Sequence, residues 1–168
     1  MTITIRKEQN RDIKAIEKLT EQAFRGIEHS SHTEQFIVAA LRRAKALSIS
    51  LVAELNSEII GHVAVSPVKI SDGSKNWFGL GPISVLPKYQ QQGIGSLLMT
   101  ATLKELDNLE ASGCVLLGDP EFYRRFGFVA EAAMVLADVP PEYFQALLIK
   151  GTLPKGTVTY HQAFSAQD

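Results

Sequence analysis

Apolar letters fall into two periods along the chain, and the switches between them lay out the elements. Residues 2–6 alternate β-branched with polar letters and read as a short strand. Over residues 10–25, Ile13, Ile16, Leu19, Ala23 and Phe24 recur at helical spacing, with Gly26 as the stop. Thr33 then caps a second helix through Phe36, Ile37, Ala40 and Leu41. Residues 48–54 and 59–70 read as the two strands of a hairpin, and the polar turn 71–76 delivers Trp77 and a third strand ending at Val85. Pro82 lacks the N–H a ladder needs, so pairing should break there.

The second half starts on glycines and ends on short elements. Residues 95–109 hold an apolar helix without Gly or Pro after its first residue, and Cys114 to Leu117 read as the next strand. Strand, crossover helix and strand imply a parallel pair. Asp119, Pro120 and Glu121 supply the cap, first position and first turn of a short helix that stops at Gly127. Phe128 and Val129 then resume as strand, residues 134–139 look extended, 141–149 read as a brief helix, and 157–164 as a final strand.

Composition narrows the class. A chain of 168 residues with 45% hydrophobic letters can bury one core and is too short for two ordinary domains, so one domain over 1–168 is expected. A formal charge of −1, from 17 basic and 18 acidic residues, offers no field for nucleic acid or anionic lipid. Cys114 alone cannot form an internal disulfide and sits among apolar neighbours. No signal-like h-region or membrane-length apolar run is present, which leads to the expectation of a cytoplasmic protein. His29 and His32 lie in a polar loop without further ligands nearby in sequence, so no metal is expected. Nothing in the pattern argues for or against a homodimer.

The chemistry concentrates between Gly79 and Leu106. A strand, a Gly-containing loop and a helix make an anion site, because first-turn N–H groups lack intrahelical partners and the peptide dipoles add positive charge there. No Gly-Lys-Ser or Gly-Lys-Thr triplet exists, which argues against a P-loop; Leu98 stands where a dinucleotide fingerprint needs its third Gly. Gln90, Gln91, Gln92, Gly93, Ile94, Gly95 and Ser96 instead follow a Q/R-x-x-G-x-G pattern, and Phe122, Tyr123, Arg124, Arg125, Phe126, Gly127 and Phe128 follow FYxxxGF.

These two motifs, at this separation, resemble those of the GNAT acyltransferase superfamily. Gly61-His62-Val63 and Gly118-Asp119-Pro120 resemble the bacterial YhbS-like branch. The resemblance implies an α/β fold with a mixed sheet of about seven strands, flanking helices and a splay between the fourth and fifth strands. It implies acetyl-CoA as co-substrate, its pantetheine lying along Ile83, Ser84 and Val85 and its pyrophosphate on Gln90 to Ser96. Gln90 stands where many relatives carry Arg, so the grip would lean on backbone amides. By its place in the motif Tyr123 would hand a hydrogen-bonded proton to the leaving thiolate. Acetyl transfer to a primary amine, of a small molecule or a peptide, would proceed by direct attack, since no motif positions a cysteine to carry the acyl group. The acceptor would lie near residues 29–34 and the C-terminal segments. Glu34, Glu54, His62 or water could take the amine's proton, and spacing selects none of them. A non-catalytic acyl-CoA module on the same fold, or a nucleotide-binding α/β domain, stays open as an alternative.

Overall fold

A computed structural model describes residues 2–168. Six strands form a mixed sheet in the order β1, β2, β3, β5, β6, β8: Thr4–Lys7, Ile49–Leu55, Glu58–Pro67, Trp77–Val85, Gly113–Leu117 and Phe144–Leu148. Three short strands, β4 (Lys69–Ile70), β9 (Gly156–Thr159) and β7 (Met134–Val135), make a second sheet beside it. Helices α1 (Ile13–Phe24), α2 (Glu34–Arg43) and α3 (Ile94–Asn108) flank the main sheet, and α4 (Pro120–Tyr123) follows β6. No helix among the described residues is long and apolar enough to cross a membrane.

Side-chain periods explain which faces close. Ile16, Leu19 and Thr20 of α1 are buried, as are Ile94, Leu98, Met99, Thr102 and Leu106 of α3, each set falling on one face of its helix. Gly61 lets α3 come close to β3: a Cβ there would lie 3.1 Å from Leu98 Cδ1 and 3.2 Å from Ile94 Cγ2. His62, the next residue, therefore faces the opposite side, toward α1 and α2. Phe128, fully buried, closes the core beneath α4.

Several boundaries differ from the sequence expectation, each for a tertiary reason. Residues 141–149 form no helix; after one 3-10 turn at Pro141–Tyr143 the chain becomes β8, because Phe144–Leu148 pairs antiparallel with β6. The last strand stops at Thr159, since His161 Nδ1 accepts from the Ala163 N–H at 3.0 Å and caps a 3-10 turn. Residues 59–70 divide into β3 and β4 because Lys69 and Ile70 leave the main sheet to pair with β9. Phe128 and Val129 contribute one isolated bridge, Val129 to Ala146, in place of a strand. Strand β7 covers only the start of the expected 134–139 stretch.

Candidate active site

Two local irregularities in β5 shape the site. Val63 pairs with Ile83 and Val65 with Leu80, so three steps on β5 match two on β3 and the strand carries one extra residue around Gly81 and Pro82. Parallel pairing with β6 covers only Trp77, Phe78 and Gly79, opposite Gly113, Cys114 and Val115. Beyond Gly79, β5 is paired with β3 alone, while β6 continues against β8. The gap expected beside Pro82 therefore lies between two strands that have parted company.

The loop after β5 leads from this gap to α3. Gln91 has φ of 62° and Gly93 has φ of 86°, two left-handed steps that aim successive N–H groups to one side. Those of Gln91, Gln92, Gly93, Ile94, Gly95 and Ser96 make no hydrogen bond to a carbonyl among the described residues; the first α-helical bond runs from the Leu97 N–H to the Gly93 carbonyl at 3.1 Å. A Cβ on Gly93 would meet nothing within 4 Å, and one on Gly95 only Phe122 Cζ at 3.5 Å, so both glycines are open. The Gln90 and Gln92 side chains fold back onto the loop. Gln90 Nε2 donates to the Val85 carbonyl at 2.9 Å and Gln92 Nε2 to the Lys88 carbonyl at 3.2 Å, so both amides brace the loop.

Ile83 and Val85 are half-buried along the open stretch, and Ser84 between them is buried with an unpartnered hydroxyl. Tyr123 is placed by a well-formed cap: Asp119 Oδ1 accepts the Glu121 N–H at 3.0 Å and Pro120 opens the turn. Its ring stands edge-on to Phe122 at 4.9 Å and packs over Gly118, where a Cβ would come to 2.4 Å from Tyr123 Cε2. Burial, with the Asp119 carboxylate nearby, pushes the phenol up to about 12. The hydroxyl is thus protonated at neutral pH.

Arg125 lies against the loop side of α3. Its guanidinium lies over the Phe122 ring at 4.7 Å and its Nη2 is 3.5 Å from Ser96 Oγ, which sets a cation beside the first turn of α3. The proposed bases separate cleanly. Glu54 is engaged by Arg6 at 3.3 Å, and Glu34 accepts from Ser30 Oγ at 2.8 and 2.7 Å. His62 is fully buried and joined to Ser50, a contact that no spacing along the chain announces. Cys114 is also fully buried, its thiol pushed up by that burial, so it is no nucleophile. Among the described residues no three His, Cys, Asp or Glu side chains converge as a metal site would need.

Residues 46–130 match the family model for the acetyltransferase (GNAT) domain. That span holds the parted strands, the Gly loop, α3 and Tyr123. The chain belongs to the GNAT acetyltransferase family.

Among proteins of this family, the chain is 35% identical over 125 residues to the uncharacterised N-acetyltransferase YhbS of Escherichia coli K12, covering 74% of this chain and 72% of that one. A GNAT family acetyltransferase from Brucella melitensis, solved in complex with acetyl-CoA, superposes with a TM-score of 0.88 at 47% identity, covering 98% of this chain and 99% of that one. YhbS of Escherichia coli, solved in complex with CoA, gives a TM-score of 0.88 at 31% identity over 96% of this chain and 91% of the other. The GNAT architecture thus extends well beyond the matched motifs.

Proposed function

We propose that residues 1–168 act as one N-acetyltransferase domain that moves an acetyl group from acetyl-CoA to a primary amine of a small molecule or peptide. The observation that carries this reading is the continuity of an open strand edge at 80–85 with a row of six uncommitted N–H groups at 91–96. An adenosine diphosphate with a long thiol-bearing arm fits both: the diphosphate takes the N–H groups at the α3 terminus, and the arm supplies amide partners to the edge of β5. Bound there, the coenzyme supplies an activated acyl group on a good leaving thiol.

The chain's own residues then have distinct tasks. Gln91 to Ser96 hold the diphosphate through backbone donors, reinforced by the α3 dipole and by Arg125 in place of a charge at Gln90. Ile83, Ser84 and Val85 align the arm, and an N–H on this edge faces charge developing on the carbonyl oxygen. Tyr123 donates a hydrogen bond to the leaving sulfur. With its phenol at about 12 it keeps its proton, so it stabilises developing charge and makes no downhill transfer. No cysteine is exposed to carry the acyl group, so attack by the amine is direct.

Tyr123→Phe tests this assignment. Turnover, read as thiol release from acetyl-CoA with a panel of primary amines, should fall by about 100-fold while calorimetric CoA affinity is kept. Wild-type protein that binds CoA but turns over no amine would instead support a binding module on the same fold. Preference for ATP or NAD over CoA would remove the acyltransferase reading altogether.

A further inference from the structure

An attacking amine must lose a proton, and a partly buried chain of side chains beside α2, ending at the buried His62, stands ready to take it. Arg42 of α2 donates to the Glu8 carboxylate from Nε at 2.9 Å and from Nη2 at 2.7 Å. The Ser50 hydroxyl donates to the same carboxylate, and Ser50 Oγ lies 2.8 Å from His62 Nε2. An ionised carboxylate only accepts, so the Ser50 proton is committed to Glu8 and Ser50 must accept from His62 Nε2–H. The tautomer follows: His62 Nδ1 is left as a bare lone pair. Among the described residues it has no hydrogen-bond partner.

Ser84 stands directly across from His62 in the β3–β5 register. Residues paired in this way share a face of the sheet, with Cβ atoms about 4.5–5.5 Å apart. Ser84 is also buried, and its hydroxyl too is without a partner. An acceptor and a donor thus sit on cross-strand neighbours, each without a partner and not bonded to each other, on the stretch of β5 that β6 has left open.

We propose that His62, oriented by Ser50 and Glu8, takes the proton of the attacking amine through the Ser84 hydroxyl. This rests on the acyltransferase reading and completes it. As the C–N bond forms and the C–S bond breaks, the amine proton passes to Ser84 Oγ and the Ser84 proton to His62 Nδ1. The Nε2–H stays bonded to Ser50, with Glu8 facing the new positive charge from 4.0 Å. The proton then returns through Ser84 to the departing thiolate, so protons balance over a turnover. Burial holds the resting imidazole down at about 4, with Glu8 raising it and Arg42 lowering it, so the ring is neutral and ready to accept at pH 7. So weak a base suffices because the nitrogen becomes strongly acidic as it bonds to the carbonyl carbon. Ser84 touches the reacting groups; His62 is a positioning and storage residue acting through it.

Ser84→Ala is the discriminating variant, since removing an unpaired buried hydroxyl should leave stability unchanged or raised. Thiol release from acetyl-CoA with spermidine, lysine amide and glycine amide should fall about 100-fold, with CoA affinity unchanged. His62→Gln, which keeps a donor to Ser50 but cannot shuttle a proton, should show the same split. Nitrogen-15 spectra of the labelled wild type, read without any ligand, should show His62 neutral and protonated only on Nε2 at pH 7. An Nδ1-protonated ring, or Ser84→Ala turnover within about threefold of wild type, overturns the proposal. Failure of the wild type to bind CoA would instead sink the acyltransferase reading. CoA binding without thiol release to any amine would sink both the relay and catalysis.

Discussion

The two glycines at the α3 terminus should fail in opposite ways when given a methyl group. Gly93 has φ of 86°, so Gly93→Ala must hold an L residue in left-handed backbone although the space around it is empty. That costs about 1–2 kcal/mol. For a chain of this size the melting temperature should drop by roughly 2–8 °C. Gly95 lies in the first turn of α3 with ordinary helical backbone, and its new methyl would touch only Phe122 Cζ at 3.5 Å. Gly95→Ala therefore gains up to about 1 kcal/mol of helix propensity and should leave the melting temperature level or higher. Its Cα–Cβ bond, however, leans toward the helix N-terminus and into the space where the free N–H groups converge. Losing one charge-assisted hydrogen bond there costs about 1.5–3 kcal/mol, or roughly ten- to a hundredfold in the dissociation constant for CoA. Calorimetry with CoA, alongside thermal unfolding of both variants, reads the two effects separately. A Gly95→Ala protein that binds CoA as the wild type does would show that the diphosphate lies elsewhere, whatever its stability.

Two further outcomes follow from buried groups. His62 is held down at about 4 against an ordinary 6.5 by desolvation, so between these values the unfolded chain binds the extra proton; stability is complete above pH 6.5 and falls by about 3 kcal/mol as pH drops to 4. Urea unfolding across that window should show this slope in wild type and a flatter one in His62→Gln, and equal slopes would contradict it. Gly118→Ala should displace the Tyr123 ring, because the added Cβ would fall 2.4 Å from its Cε2, at a stability cost of about 1–3 kcal/mol. Turnover should then fall toward that of Tyr123→Phe with CoA still bound, and unaltered turnover would show that the ring position is immaterial.

What could be read from the letters was what the chain decides locally. Asp119 caps its helix, Gly127 closes it with φ of 94°, and Gly93 turns the loop, because each answers to neighbours within a few residues. The 144–148 run was misread because five mostly apolar residues carry no usable period, and pairing with β6 decided their state. That the Gln90 amide donates to the Val85 carbonyl was not legible, because the turn between them decides it. The Glu8, Arg42, Ser50, His62 and Ser84 chain was invisible for a different reason. Its members come from the residue after β1, from α2 and from three strands, and only sheet register and helix packing bring them together.

Register also explains why the extra residue in β5 matters beyond opening an edge. Counting from the Val65–Leu80 pair without it, Val63 would face Pro82 and His62 would face Ile83. Ser84 would then point to the α3 side, because a one-residue slip turns every later side chain to the other face. Gly81, with φ of 139°, takes a backbone that few L residues adopt and absorbs the added residue there. The same irregularity that interrupts the β3–β5 ladder thus selects which β5 residue stands opposite His62. In the proposed relay, one inserted residue therefore decides that a serine, and not Ile83, is the cross-strand neighbour of His62.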